Sequence, residues 1–163
     1  MCLVFVVDRR GPGNGRVLLG EKHRGIGARN VVGLGGHVEP EESAVDAAVR
    51  EAHEEAGVVL DPTALAHAGS VRFRFPSRSS WNQDVEVFLT GATDDVLVPS
   101  DEITPAWYPV DYLPLASMWD DARYWLPTVL GGGRVDATIT FAADARTVEA
   151  TDPVLTPVPL ARH

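Results

Sequence analysis

The chain contains a single cysteine, Cys2, in 163 residues. That excludes an internal disulfide and a zinc site built on several thiolates, and leaves a small core side chain as the expected role. Basic residues are also scarce. Fourteen Lys and Arg stand against 23 Asp and Glu, for a formal charge of −9. No broad cationic surface is available to grip duplex nucleic acid or an anionic membrane, although a free nucleotide carried by a metal remains compatible. Long apolar runs are missing too. The opening stretch Met1 to Val7 covers seven residues, has no basic segment before it and runs into Asp8-Arg9-Arg10. It reads as a buried strand and not as a signal peptide or membrane span. These absences predict a cytoplasmic protein without a membrane or duplex nucleic-acid partner, acting as a monomer or weak homodimer.

The length predicts one domain around one core. Its expected limits are residues 1–150, with 151–163 as a flexible tail because Pro153, Pro157 and Pro159 crowd it. Residues 3–7 and 16–20 have strand composition and bracket Gly11-Pro12-Gly13-Asn14-Gly15, a hairpin-turn sequence. A glycine- and charge-rich loop follows. Val45, Ala48, Val49, Ala52 and Ala56 then recur at helical spacing, with Ser43 as N-cap and Gly57 as the stop. Segments 69–75, 84–90 and 106–110 read as strands, 111–130 as a turn and a second helix begun or interrupted near proline, and 134–150 as a closing pair. Strands flanked by two helices give an α/β fold, an α/β/α sandwich with a mixed sheet.

The most informative segment is 36–58. Glu51, Glu54 and Glu55 fall at i, i+3 and i+4 of the expected helix, so three carboxylates project from one face. Their repulsion is relieved most readily by a cation among the oxygens, and a hard oxygen set suits Mg²⁺, with Mn²⁺ able to substitute. The plainer alternative is a solvated acidic face with Arg50 and Glu54 paired at i, i+4. That alternative explains the helix but not Gly33, Gly35 and Gly36, whose entropic cost suits a turn where backbone and side chains converge on a ligand.

Gly36, Glu42, Arg50, Glu51, Glu54, Glu55, Gly57 and Val58 match the signature Gly-x5-Glu-x7-Arg-Glu-U-x-Glu-Glu-x-Gly-U, where U is a bulky aliphatic. The chain therefore resembles the Nudix hydrolases. Ala52 is the one departure, at a position where the family usually carries Ile, Leu or Val, and predicts slightly looser packing. The resemblance implies the α/β/α architecture and Mg²⁺ held by Glu51, Glu54, Glu55 and the Gly36 carbonyl. Arg50 and Glu42 would orient the box carboxylates, and one box carboxylate or Glu102 would bind metal or serve as the base. His53 lies at a variable box position, and His37 offers at most a phosphate or water contact. Lys22 and Arg24 are candidates for the triphosphate, with ordinary surface charge as the alternative.

Residues 17–20, 24–28, 33–36, 100–102 and 118–127 further resemble the MutT-like members that act on oxidised purine nucleoside triphosphates such as 8-oxo-dGTP. In those members a Met-Trp-x-Asp-Asp element walls the base pocket. By carry-over Trp119 stacks on the purine and Asp121 reads its edge, although Trp119 and Trp125 also suit plain core positions. Two positions depart from the pattern: Val32 stands where a base-reading Asn is usual, and Ala122 replaces the second Asp. Missing buried polar groups weaken base discrimination. Asn30, Asn82 and Gln83 are the nearby side chains able to restore a hydrogen bond. The expected activity is Mg²⁺-dependent conversion of a nucleoside triphosphate to monophosphate and pyrophosphate. The alternatives are a Nudix pyrophosphatase for an ADP-sugar or ADP-ribose, and a non-catalytic nucleotide-binding module.

Overall fold

A computed structural model describes residues 1–160. Its strands are β1 (Cys2–Asp8), β2 (Arg16–Lys22), β3 (Val31–Val32), β4 (Leu34–Gly36), β5 (Ala66–Arg74), β6 (Gln83–Gly91), β7 (Ile103–Pro109), β8 (Val135–Phe141) and β9 (Val148–Asp152). Its helices are α1 (Ala44–Ala56) and α2 (Ala122–Leu130). The strands join in one mixed sheet, ordered β3-β2-β1-β6-β5-β8-β9, with β4 also on β1 and β7 also on β2. Among the described residues no helix is long and apolar enough to cross a membrane.

β1 is the centre of this sheet because both of its faces are apolar. Cys2, Val4 and Val6 face α1, while Phe5 and Val7 face α2, and all five are buried. One edge of β1 runs parallel to β6 from Cys2↔Glu86 to Val7↔Gly91. Along its other edge β2 pairs only at Val7↔Val17 and Asp8↔Arg16 and then diverges, so that β4 takes over opposite Cys2, Leu3 and Val4. β3 meanwhile stays with β2 at Gly20 and Glu21. The stretch expected as a loop is thus a broken strand that wedges the sheet apart. Gly33 sits at the break, where a Cβ would come within 2.7 Å of the Phe5 ring.

α1 starts where Ser43 Oγ accepts the Asp46 N–H at 3.0 Å and ends at Gly57 in the left-handed conformation. Its inner face is alanine (Ala47, Ala48, Ala52 and Ala56), packed on Val4, Val6, Leu18 and Leu34. Ala52 is fully buried. On the opposite face of the sheet, α2 buries Leu126, Val129 and Leu130 completely, each removal from water being worth about 1.5–3 kcal/mol. The second helix begins at Ala122, after one-turn helices at 110–112 and 115–117, and carries Pro127 inside it. Proline has no N–H for the Arg123 carbonyl four residues back. That carbonyl instead accepts the Val158 N–H at 2.8 Å.

The expected boundary at residue 150 falls inside β9, which pairs with β8 as far as Asp152. Beyond it, Leu155 packs on the core, and residues 161–163 of the expected tail lie outside the described residues. Cys2 is buried and unpaired, and burial raises its thiol pKa.

Candidate active site

The carboxylates of α1 meet the backbone of β4. Glu55 is only 7 % exposed, and its Oε2 accepts the Gly35 N–H at 2.9 Å. Gly36 is pressed against Glu51 so closely that a Cβ there would overlap the carboxylate. Only glycine allows that approach. Burial pushes the Glu55 pKa up to about 8, with the charges of Glu51 and Glu102 adding to the rise and the Gly35 N–H and Lys22 opposing it. Burial likewise raises Glu51, against the pull of Arg50.

Arg50 ties the outer part of the cluster together. Its guanidinium donates to Glu42 Oε1 at 2.8 Å, Glu51 Oε1 at 3.1 Å, Glu54 Oε2 at 3.2 Å and the His37 carbonyl at 3.0 Å. These charge-assisted bonds hold Glu42 below the usual carboxylate range, helped by the Glu39 N–H. Glu102, in the loop before β7, pairs with Arg24 Nη2 at 2.9 Å while its charge still raises Glu51 and Glu55. The structure therefore brings Glu42, Arg50, Glu51, Glu54, Glu55 and Glu102 to one place.

This donor set fits a hard divalent cation. Glu51 and Glu55 are desolvated, mutually repelling carboxylates, and a cation between them would favour the ionised forms. Among the described residues no three His, Cys, Asp or Glu side chains complete a metal site by themselves. A bound ion would therefore take further oxygens from the Gly36 carbonyl, phosphate and water, as Mg²⁺ commonly does.

From Glu55, Lys22 and Gly35 a cavity of about 190 Å³ runs beneath β3 to Phe75, Trp119 and Asp121. Its far end is aromatic. Phe75 stacks on Phe141 with centroids 4.4 Å apart and meets the edges of Trp81 and Trp119 at 5.7 and 6.2 Å. Asp121 is buried there. Its Oδ2 accepts the Trp125 Nε1–H at 2.8 Å, and burial pushes its pKa up to about 6.

An acidic box and an aromatic cavity that share Glu55 on this fold make the sequence comparison decisive: residues 2–129 match the NUDIX domain family. The chain belongs to the Nudix family.

The sequence of this Nudix chain is 38% identical to the oxidized purine nucleoside triphosphate hydrolase of Danio rerio over 130 residues, 80% of this chain and 78% of that protein. It is also 38% identical to the enzyme of the same name from Mus musculus over 115 residues, 71% of this chain and 72% of that protein. The MutT protein of Bacillus halodurans superposes with a TM-score of 0.71 at 23% identity, covering 97% of each chain, a likeness of fold.

Several expected ligand-contacting residues of the Nudix chain border the cavity and others do not. Lys22, Val32, Trp119, Asp121 and Gln83 line it, as does Ala122. Asn30 lies instead on a separate open cleft on the other side of Trp119, and its backbone closes the 22–30 turn through Lys22 N–H and Gly27 carbonyl. Arg24 is engaged by Glu102, and Asn82 Oδ1 accepts the Phe75 N–H at 2.7 Å. His37 contributes its carbonyl to Arg50, and Trp125 is a core residue that braces Asp121. Sequence reading overlooks Phe75, Trp81 and Phe141, which come from the residue after β5, a one-turn helix at 79–81 and the end of β8 and share no spacing.

Proposed function

We propose that this Nudix protein is a Mg²⁺-dependent pyrophosphohydrolase that converts purine nucleoside triphosphates to monophosphate and pyrophosphate, oxidised purine dNTPs such as 8-oxo-dGTP among them. The observation that carries the reading is a continuous cavity with Lys22 and Glu55 at one end and Trp119, Phe75 and Asp121 at the other. A charged end suits phosphate, and an aromatic end with few polar groups suits a base. The names of the zebrafish and mouse relatives support the same substrate class.

Water adds to one of the two phosphorus atoms flanking the α–β bridging oxygen, the bond from that phosphorus to the bridging oxygen breaks, and the fragment keeping the bridging oxygen leaves with the electron pair. Glu51, Glu54 and Glu55, with the Gly36 carbonyl and Glu102, would hold Mg²⁺, for which Mn²⁺ can substitute. When bound, the ion supplies charge neutralisation at the phosphates and a more acidic water. Arg50 fixes the carboxylates of Glu42, Glu51 and Glu54, so their geometry is set before substrate arrives. A carboxylate of this cluster takes the proton of the attacking water. Lys22 offers an ammonium to the phosphate chain where the cavity opens. Trp119 and its aromatic neighbours cover the base and exclude water from it.

The test is steady-state hydrolysis with Mg²⁺ across the four dNTPs, 8-oxo-dGTP, 2-hydroxy-dATP and ADP-ribose, resolving products chromatographically. Glu54→Gln and Glu55→Gln are run beside the wild type. Monophosphate plus pyrophosphate, lost by orders of magnitude in folded variants, supports the proposal. Turnover of ADP-ribose alone, or ligand binding without turnover, refutes it.

A further inference from the structure

The aromatic end of the cavity holds two hydrogen-bonding side chains besides its indoles, Asp121 and Gln83. Val32 and Ala122 close the same wall without polar atoms. Asp121 is already bonded to Trp125. The side-chain amide of Gln83, in contrast, has no hydrogen-bond partner among the described residues.

That amide occupies an unusual place for a polar group. Gln83 opens β6 opposite Phe73 of β5, and Phe73 also lines the cavity. Side chains alternate along a strand, so Gln83 shares its face with Val85 and Val87, which are 2% and 0% exposed. Its neighbour Asp84 points the other way and is neutralised by Arg74 at 2.8 Å. The outward polarity of the strand is therefore satisfied within the protein, whereas the inward polarity is directed into the cavity without a protein partner.

We infer that Gln83 is a specificity-determining residue whose amide reads the edge of the base, taking over from the hydrogen-bonding groups that Val32 and Ala122 do not provide. This rests on the proposed triphosphate hydrolysis and sharpens it. A side-chain amide offers an acceptor beside donors in one plane. It pairs bidentately with an edge that presents a donor beside an acceptor, as it does with N6 and N7 of adenine. Guanine presents two acceptors there, O6 and N7, and one of them must face the wrong end of the amide. Oxidation at C8 places a hydrogen on N7. The edge then becomes acceptor beside donor and matches the amide. In a pocket with so few other polar groups, the unmodified base sets acceptor against acceptor and takes both out of water unpaired, a cost the oxidised base does not incur.

The test compares kcat/KM for 8-oxo-dGTP and dGTP, with Mg²⁺, in the wild type, Gln83→Met and Gln83→Glu. Methionine preserves length and removes both hydrogen-bonding functions. Glutamate preserves shape but, when ionised, presents acceptors only: it opposes O6 of both bases, still accepts the N7 hydrogen of the oxidised one and opposes N7 of guanine. The expected result is that the ratio favouring 8-oxo-dGTP falls about tenfold or more in Gln83→Met, the loss falling mainly on the oxidised substrate, whereas Gln83→Glu loses activity on both substrates and keeps its preference for the oxidised base. Binding of 8-oxo-dGMP, measured by calorimetry without turnover, should weaken in parallel. A ratio preserved within about twofold in folded Gln83→Met overturns the inference, and so does wild-type activity of Gln83→Glu on both substrates. A wild type that cleaves triphosphates with no preference for the oxidised base overturns the inference alone, and a wild type that cleaves none overturns the proposed function with it.

Discussion

Replacing Asp121 with asparagine should make the protein more stable at neutral pH while damaging its cavity. Asp121 is 6% exposed, and burial, with the charge of Asp120 adding to it, moves its pKa from 3.8 to about 6 despite the bond from Trp125. Asparagine can still accept that bond. The folded pKa lies above the unfolded one, so the folded state holds the proton more tightly. The stabilisation is complete below the unfolded pKa and is lost as pH rises through about 6. A displacement of this size corresponds to about 3 kcal/mol in all, of which about 2 kcal/mol falls between pH 4.5 and 7.5. The asparagine side chain does not titrate. The variant should therefore gain about 2 kcal/mol on the wild type over that interval, or about 4–8 °C in Tm for a chain of this length. The assay is urea and thermal unfolding of both proteins at the two pH values, with chelator present. Parallel curves, or a gap that widens toward low pH, would refute the assignment of a costly buried charge to this position. The same variant should lose kcat/KM toward its preferred base, because the carboxyl borders the cavity.

Two further outcomes follow from the same geometry. Gly27 has φ +81°, and a Cβ there would lie 2.6 Å from Trp119 Nε1, so Gly27→Ala should cost about 1–2 kcal/mol from backbone strain. It should also raise KM several-fold by displacing the indole; a wild-type KM would show that Trp119 does not contact the substrate. Adding Mg²⁺ should raise Tm, by the equivalent of about 2.7 kcal/mol at a hundredfold excess over Kd. Glu55→Gln should abolish most of that shift, and an equal shift in both proteins would place the ion elsewhere.

The acidic box was legible because its chemistry is local. Glu51, Glu54 and Glu55 lie within one helical turn, and Ser43 and Gly57 mark the ends of that helix with the cap geometry their types favour. β1 was legible for a similar reason, since a run buried on both faces needs no periodicity to declare itself. β3 and β4 were not. A two-residue and a three-residue strand carry too few side chains to set up an alternation, and glycine between them reads as a turn. The unshifted reading set Val32 at the base-reading position with Asn30 as a nearby substitute; Val31 and Val32 line the cavity and Asn30 does not. The aromatic wall was hidden for a different reason. Phe75, Trp81 and Phe141 are joined only by tertiary contacts, and no spacing along the chain encodes them. The Pro127 irregularity could be anticipated, but its remedy, a bond from Val158 on the far side of β9, could not.

Lys22 is the chain's sole lysine, and it lines the cavity that Gly35 and Glu55 also border. The sequence therefore carries one ε-amine, and the fold sets it in the wall of the cavity. An amine-directed reagent becomes a footprint of occupancy: acylation at Lys22 reports an empty cavity, and protection of that nitrogen reports a filled one, without a cysteine having to be introduced. Every arginine of the outer surface is silent to such a reagent, so the sparse lysine content gives the site a natural chemical address.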